Sequence, residues 1–323
     1  MLARRRFMLG AAALATPAVI PGARADTYPS RVVRLVVPFP PGGAVDAAAR
    51  IIANRLSEMW GRQMMIENRG GAGGNIAAQA VLNAEADGYT VFIASIGHAI
   101  NQFIYPSIGY NPVTDFSPVT LMCVYPNIMA VPNSSPDHSV ADFIARAKAD
   151  PGKLTFGSPG HGAVPHLSAV LFTKAAGITM TLVPYRGAAP GIQDLIPGRI
   201  DSFFNNIAPM VPLSAQGQLR LLAVTTAQRS PMTPDVAAMS ETLPGYDVTG
   251  WYALFVPAKT PKDIIQKMYT GVKAAVDDPT IRKRLEEQAM IVVGSTPDEL
   301  GRFHKVELDK WGPLIKEAGI KSE

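Results

Sequence analysis

Cys123 is the only thiol in 323 residues. An intramolecular disulfide, a CxxC redox pair and a cysteine-built zinc site are therefore excluded. Charge is scarce too, at 17% of residues, and the formal net charge of +4 is misleading. Arg4, Arg5, Arg6 and Arg24 all precede Asp26 with no acid among them, and the remaining basic residues only equal the 26 acidic ones. No basic stripe is left to hold nucleic acid. The chain also lacks the GxGxxG spacing of a dinucleotide fold, the GxxxxGK[ST] phosphate loop, the GxSxG elbow and HExxH. No cofactor, no catalytic residue and no enzymatic activity are expected. At 47% hydrophobic, and without a strict glycine period, the sequence is neither disordered nor collagenous.

The first residues read as an export signal. Arg4-Arg5-Arg6 precedes the apolar run FMLGAAALATPAV, and Ala23-Arg24-Ala25 supplies the small-x-small pattern of a cleavage site. Cleavage should leave Asp26 as the first residue. The run is shorter than the ~20 apolar residues a membrane span needs, and Pro17 and Pro21 interrupt it. Arg4-Arg5-Arg6-Phe7-Met8 also resembles a twin-arginine signal, with Ala3 where Ser or Thr is usual. No later segment is long and apolar enough to span a bilayer, so a periplasmic location is expected.

From residue 31 onward, strands and helices alternate. RVVRLVVPF is a β-branched run closed by Pro40-Pro41-Gly42-Gly43, and AVDAAARIIANRLSEMWG carries helical periodicity up to Gly61. QMMIEN, a glycine loop, NIAAQAVLNAEA and TVFIAS complete a βαβαβ pattern. Such alternation predicts a mostly parallel sheet with ligands beyond the carboxyl ends of its strands. Near Tyr125-Pro126 the pattern restarts with NIMAVP, the helix SVADFIARAKADPG, LTFGS, the helix VPHLSAVLFTKAAG and TLVPY. It then runs on through AAPGIQDLIPG, IDSFFN and LRLLAVTT. WYALFVP leads into long amphipathic helices that should return to the first half, and RSPMTPDVAAM reads as a surface loop.

Glycine-rich turns between a buried strand and a helix start occur three times, at residues 41–45, 70–75 and 157–164. Uncapped N–H groups and the macrodipole make a helix start an anion site. One terminus contributes about 0.3–2 kcal/mol, whereas micromolar binding needs roughly 8 kcal/mol. A single turn is therefore insufficient, and several would have to converge. Glycine also serves such turns for purely conformational reasons.

The strings VPFPPGGAVDAAARIIANRL, IENRGGAGGNIAAQAV, ADGYTVFIAS, FGSPGHGAVPHLSAVLF and VPYRGAAPGIQDLIPGRIDSFF resemble, in order and spacing, those of the Bug family. These are the periplasmic receptors of tripartite tricarboxylate transporters. The resemblance runs from about residue 30 to the C-terminus. It implies an α/β, type II periplasmic-binding-protein fold whose two lobes close on a small carboxylated solute. The division expected is 1–25 signal peptide, 26–124 plus 251–323 as one lobe, and 125–250 as the other. It further implies a monomer that delivers the solute to integral-membrane transporter subunits. The alternative is a sensor presenting its closed form to a histidine-kinase ectodomain.

The resemblance also places the ligand-binding residues. Phe39, Pro41, Gly42 and Gly43 form the first loop, with Asp46 expected as a helix-start cap rather than a contact. Gly71, Ala72, Gly73, Gly74 and Asn75 form the second, with Gly70 where proline is usual. Arg69, on that turn, reads as solvated or as a structural ion pair. Ser95, His98 and Asn101 follow the third strand and can line the cleft with uncharged donors. The other lobe contributes Ser158, Gly160, His161, Gly162 and His166, and then Tyr185, Arg186, Asp201 and Asn205. His166 reads equally as a buried structural histidine, and Asp201 as a solvent-facing acid at a strand start. His161 and His166 are five apart, which does not place two imidazoles on one helical face, so no metal is expected.

Overall fold

The computed structural model describes residues 28–321 except 161, 162 and 318. The signal segment, and His161 and Gly162, lie outside the described residues. In chain order the first elements are β1 (Val33–Val37), α1 (Ala44–Trp60), β2 (Met64–Asn68), a 3₁₀ turn (Ala72–Gly74), α2 (Asn75–Leu82), β3 (Thr90–Ala94) and α3 (Gly97–Ile104). The long strand β4 (Phe116–Pro132) follows, and then α4 (Val140–Ala149), β5 (Thr155–Ser158), α5 (Val164–Ala176), β6 (Thr181–Pro184), α6 (Ala188–Leu195) and β7 (Ser202–Asn206). Next come α7 (Val211–Ala215), β8 (Leu219–Val224), β9 (Ala237–Ala238) and α8 (Met239–Thr242). The chain closes with β10 (Thr249–Pro257), α9 (Lys262–Asp277), α10 (Pro279–Glu286), β11 (Ile291–Val292) and α11 (Pro297–Glu317).

The first half of the sheet follows from burial on both faces. VRLVV in β1 is an unbroken apolar run apart from Arg34, as expected of a central parallel strand. It lies between β2 and β3, parallel to both. α1 covers this sheet with Val45, Ala48, Ala49, Ile52, Ala53 and Leu56, a stripe of helical period. It stops at Gly61, whose φ of 61° is the left-handed C-terminal conformation that glycine adopts freely. In the other half β5 is parallel to β6 and β7, while β7 and β8 both pair antiparallel with β4.

β4 joins the halves. Its first part pairs antiparallel with β10, which in turn pairs antiparallel with β3, so β4 and β3 point the same way. It therefore leaves the first half at the carboxyl ends of β1 and β3. It enters the second half antiparallel to β7, with Asn127 opposite Asn206 at that strand's carboxyl end. The carboxyl ends of β1–β3 and of β5–β7 thus face each other across the crossing. This two-lobed α/β arrangement is the fold class the sequence predicts. The restart near Tyr125-Pro126 proves to be one continuous strand of 17 residues. The segment 229–239, read as a loop, ends in β9, which pairs with β8.

α11 packs across the back of the crossing. Its buried Glu307 accepts hydrogen bonds from two indoles, Trp251 Nε1 on β10 at 2.9 Å and Trp311 Nε1 at 3.1 Å. One turn earlier, His304 stacks on His98 of α3, with ring centroids 5.0 Å apart and planes within 5°. Toward its end, Leu314 and Ile315 share an apolar crevice with Leu167 and Leu171 of α5, and Glu317 pairs with Lys174.

Candidate functional site

Five helices, α1, α2, α3, α5 and α6, begin at the two facing edges, and no side chain caps any of them. α4, which begins at the opposite edge of its lobe, is capped by Ser139 Oγ on the Asp142 N–H at 3.1 Å. Capping by a polar side chain ordinarily satisfies one of the orphan N–H groups. α9 also begins uncapped, at the far edge of the first lobe, but only at the facing edges do several such starts gather, which concentrates outward donors where a bound anion would lie.

The first loop is braced from behind by Asp46. Its Oδ2 accepts from the Gly42 N–H at 3.0 Å and from Arg50 Nε at 2.9 Å, and its Oδ1 from Arg50 Nη2 and Asn68 Nδ2, both at 3.0 Å. Burial alone would raise its pKa, but the hydrogen bonds from Arg50, Gly42 and Asn68 together hold it below the ordinary carboxylate value. Asp46 thus shapes the loop and offers nothing to a solute. Arg69 is likewise engaged, with Glu67 at 2.5 Å. At Gly43 an added Cβ would meet nothing within 4 Å.

The second loop is a left-handed coil. Gly71, Ala72, Gly73 and Gly74 have φ of 123°, 47°, 64° and 101°, values at which a side chain is strained. The coil is anchored by asparagines. Asn101 Nδ2 donates to Gly73 O at 3.0 Å and to Asn75 Oδ1 at 2.8 Å, and Tyr110 Oη donates to the same Asn75 oxygen at 2.8 Å. Asn75, expected as part of the ligand-binding loop, and Asn101, expected as a cleft donor, therefore carry a bracing network, and Tyr110 joins it without a signal in the sequence. A Cβ on Gly97 would stand 2.7 Å from the Gly73 carbonyl oxygen. Gly97→Ala is accordingly expected to push the second loop off α3 at a cost of about 1–3 kcal/mol. Solute affinity should drop about tenfold, which isothermal titration beside a thermal melt will read.

The remaining candidates divide. Ser95 ends at the facing edge just before α3, and Phe39 is partly exposed at the turn after β1. His98 is not at the mouth: its ring is boxed by Phe92, Tyr110, Phe116, Phe255 and His304. It is a core histidine, drawn inward by aromatics from distant parts of the chain. Ser158 is buried at the end of β5, its Oγ donating to Gly160 O at 3.1 Å. His166 is buried in the first turn of α5, its ring stacked on Phe156 at 6.4 Å. The Tyr185 hydroxyl is committed to Asp194 Oδ2 at 2.9 Å, and burial together with that acid pushes it up to about 12. Arg186 is exposed beside it at the same edge.

Asp201 corrects an expectation. It stands just before β7, at the strand start where the sequence places it, but it neither meets the cleft nor simply faces solvent: its carboxylate accepts from Arg146 Nη1 at 3.0 Å and from Thr155 N and Oγ1 at 2.9 Å. It thus ties down the amino end of β5, away from the facing edges. Asn205 is buried on the α6 face of the sheet, its Nδ2 3.6 Å from Met210 Sδ. Among the described residues no group of three His, Cys, Asp or Glu side chains could hold a metal ion.

Residues 48–320 match the family described as tripartite tricarboxylate transporter family receptor. The protein BugT of Bordetella pertussis is 31% identical over 95% of this chain and 95% of its own. Among solved structures, an R. palustris protein with adipate is 39% identical with a TM-score of 0.82, covering 90% of this chain and 98% of that one. MatC from Rhodopseudomonas palustris with bound malate is 30% identical with a TM-score of 0.79, covering 89% and 100%. The uncapped helix starts at two facing edges thus sit on a periplasmic-binding-protein fold, and the chain belongs to the TctC/Bug family of solute-binding transport receptors, which are not enzymes.

Proposed function

We propose that this receptor captures a small carboxylated solute between its two lobes in the periplasm and delivers it to the membrane subunits of a tripartite tricarboxylate-type transporter. The observation that carries this reading is the gathering of uncapped helix starts at both facing edges, with the nearby acid Asp46 neutralised by Arg50. A carboxylate lying there accepts N–H groups from both lobes. Because each terminus contributes only about 0.3–2 kcal/mol, useful affinity needs both lobes, and the solute therefore favours the closed form. The relatives whose structures were solved with adipate and with malate hold carboxylic acids. No described helix is long and apolar enough to cross a membrane, which agrees with a partner that supplies the channel.

Thermal unfolding of refolded, ligand-stripped protein against C4 to C6 di- and tricarboxylates, aromatic acids and amino acids tests the proposal. A bound acid at a hundred times its dissociation constant adds about 2.7 kcal/mol, which raises the midpoint of a chain this size by several degrees. The acid should be recovered unchanged. A flat response across the acids, or consumption of the acid, overturns the reading.

A further inference from the structure

Asn127 stands in β4 where the strand crosses between lobes, in the otherwise largely apolar sequence LMCVYPNIMAVP. It is fully buried, and neither Nδ2 nor Oδ1 of its side chain has a hydrogen-bond partner among the described residues. Its backbone, by contrast, is satisfied: the carbonyl accepts from Thr225 N at 2.9 Å, and the N–H donates to Thr225 Oγ1 at 3.2 Å. An amide buried without partners destabilises a fold that an apolar side chain of similar size would not. A ligand-facing role accounts for its presence.

Register locates the side chain. Asn127 lies opposite Asn206 of β7 and follows the last paired row of β8, in the row at the carboxyl edge of β7. Along β4 it shares a face with Met129 and Val131. Across the sheet the same face holds Phe204 and Ser158, which align with Met129 through β7 and β5. α5 covers this face: Phe172 packs on Phe204 at 5.8 Å, and His166 of its first turn on Phe156. Asn127 therefore sits at the cleft edge on the side where α5 begins uncapped. Both polar neighbours are committed, Asn206 Oδ1 to the Ala208 N–H at 3.0 Å and the Thr225 hydroxyl to Val248 O at 2.7 Å. Of these three side chains, Asn127 alone keeps both a buried donor and a buried acceptor unused.

We propose that Asn127 is the specificity-determining residue of the cleft floor and that it reads a hydroxyl on the solute, making the preferred ligand a hydroxy acid. This rests on the carboxylate reading above. A carboxylate only accepts and would satisfy Nδ2 while leaving Oδ1 bare, whereas a hydroxyl donates and accepts and satisfies both. Sites built to bond a substrate hydroxyl discriminate strongly against the analogue lacking it, because the site's own buried groups are then left unpaired.

The test compares malate with succinate, and 3-hydroxyadipate with adipate, by titration calorimetry on the full chain. Wild type should prefer the hydroxy member of a pair at least tenfold. Asn127→Leu should bring that ratio near one, while its ligand-free melting midpoint stays unchanged or rises because an unpaired amide has been removed. Asn127→Thr, which restores a donor and acceptor on a strand-favouring side chain, should keep a hydroxyl preference. A lowered ligand-free midpoint in Asn127→Leu with the preference intact marks a structural amide and overturns the proposal. So does binding to wild type without any hydroxyl preference, which leaves the carboxylate reading standing. Failure of all four acids to bind wild type overturns the hydroxy-acid proposal in these pairs, and the carboxylate reading falls with it only where the wider panel of acids is flat as well.

Discussion

Gly43→Val is expected to weaken solute binding at least tenfold while moving the ligand-free melting midpoint by no more than a few degrees. The position is unusually clean for such a test. Gly43 has φ −82° and ψ 170°, extended backbone that valine adopts readily, and an added Cβ meets nothing within 4 Å. Its folding cost is confined to an unfavourable residue at the start of α1, about 1 kcal/mol. The isopropyl group would instead occupy the open space in front of the N–H groups of the first turn, where the proposed carboxylate lies. Gly160→Val asks the same question of the opposite lobe, since among the described residues an added Cβ meets only the Ala163 Cβ, at an ordinary 3.7 Å. Calorimetric affinities beside thermal melts separate the outcomes. Unaltered binding in both variants would remove the loops from the site. Gly73 and Gly74 make poorer probes, because at positive φ any side chain strains the backbone as well.

Acidification from pH 7 to about pH 4 is expected to remove about 3 kcal/mol of stability through His304 alone. Burial pushes its imidazole down from 6.5 to about 4 in the folded chain, and His98, buried and stacked against it, is driven down for the same reason and by the His304 charge. The unfolded chain takes up these protons below about pH 6.5, while the folded chain refuses them. Stability is thus complete above the unfolded value and falls as pH drops toward the folded one, by about 1.4 kcal/mol for each pH unit crossed between the two. Structural carboxylates such as Asp46 have lowered values and act only at still lower pH, which separates the two windows. Urea titrations at intervals between pH 7 and pH 4 will read the slope, and His304→Phe, which keeps a ring against His98 and Trp251, should lower it by the His304 share, about 1.4 kcal/mol per pH unit, and leave the share of the still-buried His98. A wild-type slope that persists in the variant would assign the acid sensitivity elsewhere.

The alternation of β1, α1, β2, α2 and β3 is legible because each strand is a short apolar run closed by proline or glycine and each helix has one apolar stripe. The loops at residues 41–45, 70–75 and 157–164 are legible for the same reason. The continuity of β4 is not, because Tyr125-Pro126 looks like a break. In the fold Pro126 lies opposite Thr249, and the neighbouring Gly250 makes room for the Tyr125 ring that packs over it. α3 is hidden by its start at Gly97-His98 without a capping residue. The position of His98 just after β3 points to the mouth, and only contacts with Phe116, Phe255 and His304, far along the chain, reveal it as core. Asp201 follows a simpler rule: strand polarity puts the residue that opens β7 at the end away from a ligand. Asn127 has no local signature, since its meaning lies in having no partner.

The position of β10 between β3 and β4 governs how the molecule can be made. A chain synthesised from its amino end delivers β1, α1, β2, α2 and β3 early, yet β3 then has an open edge, and β4 has only the strands of its second half to pair with. Strands β5 to β9 can close onto β4 from residues already present, whereas the first sheet must hold its gap until residues 249–257 arrive and insert into its middle. Aggregation through that open edge is the hazard of this interval. The half of the receptor synthesised first is therefore the last to be finished.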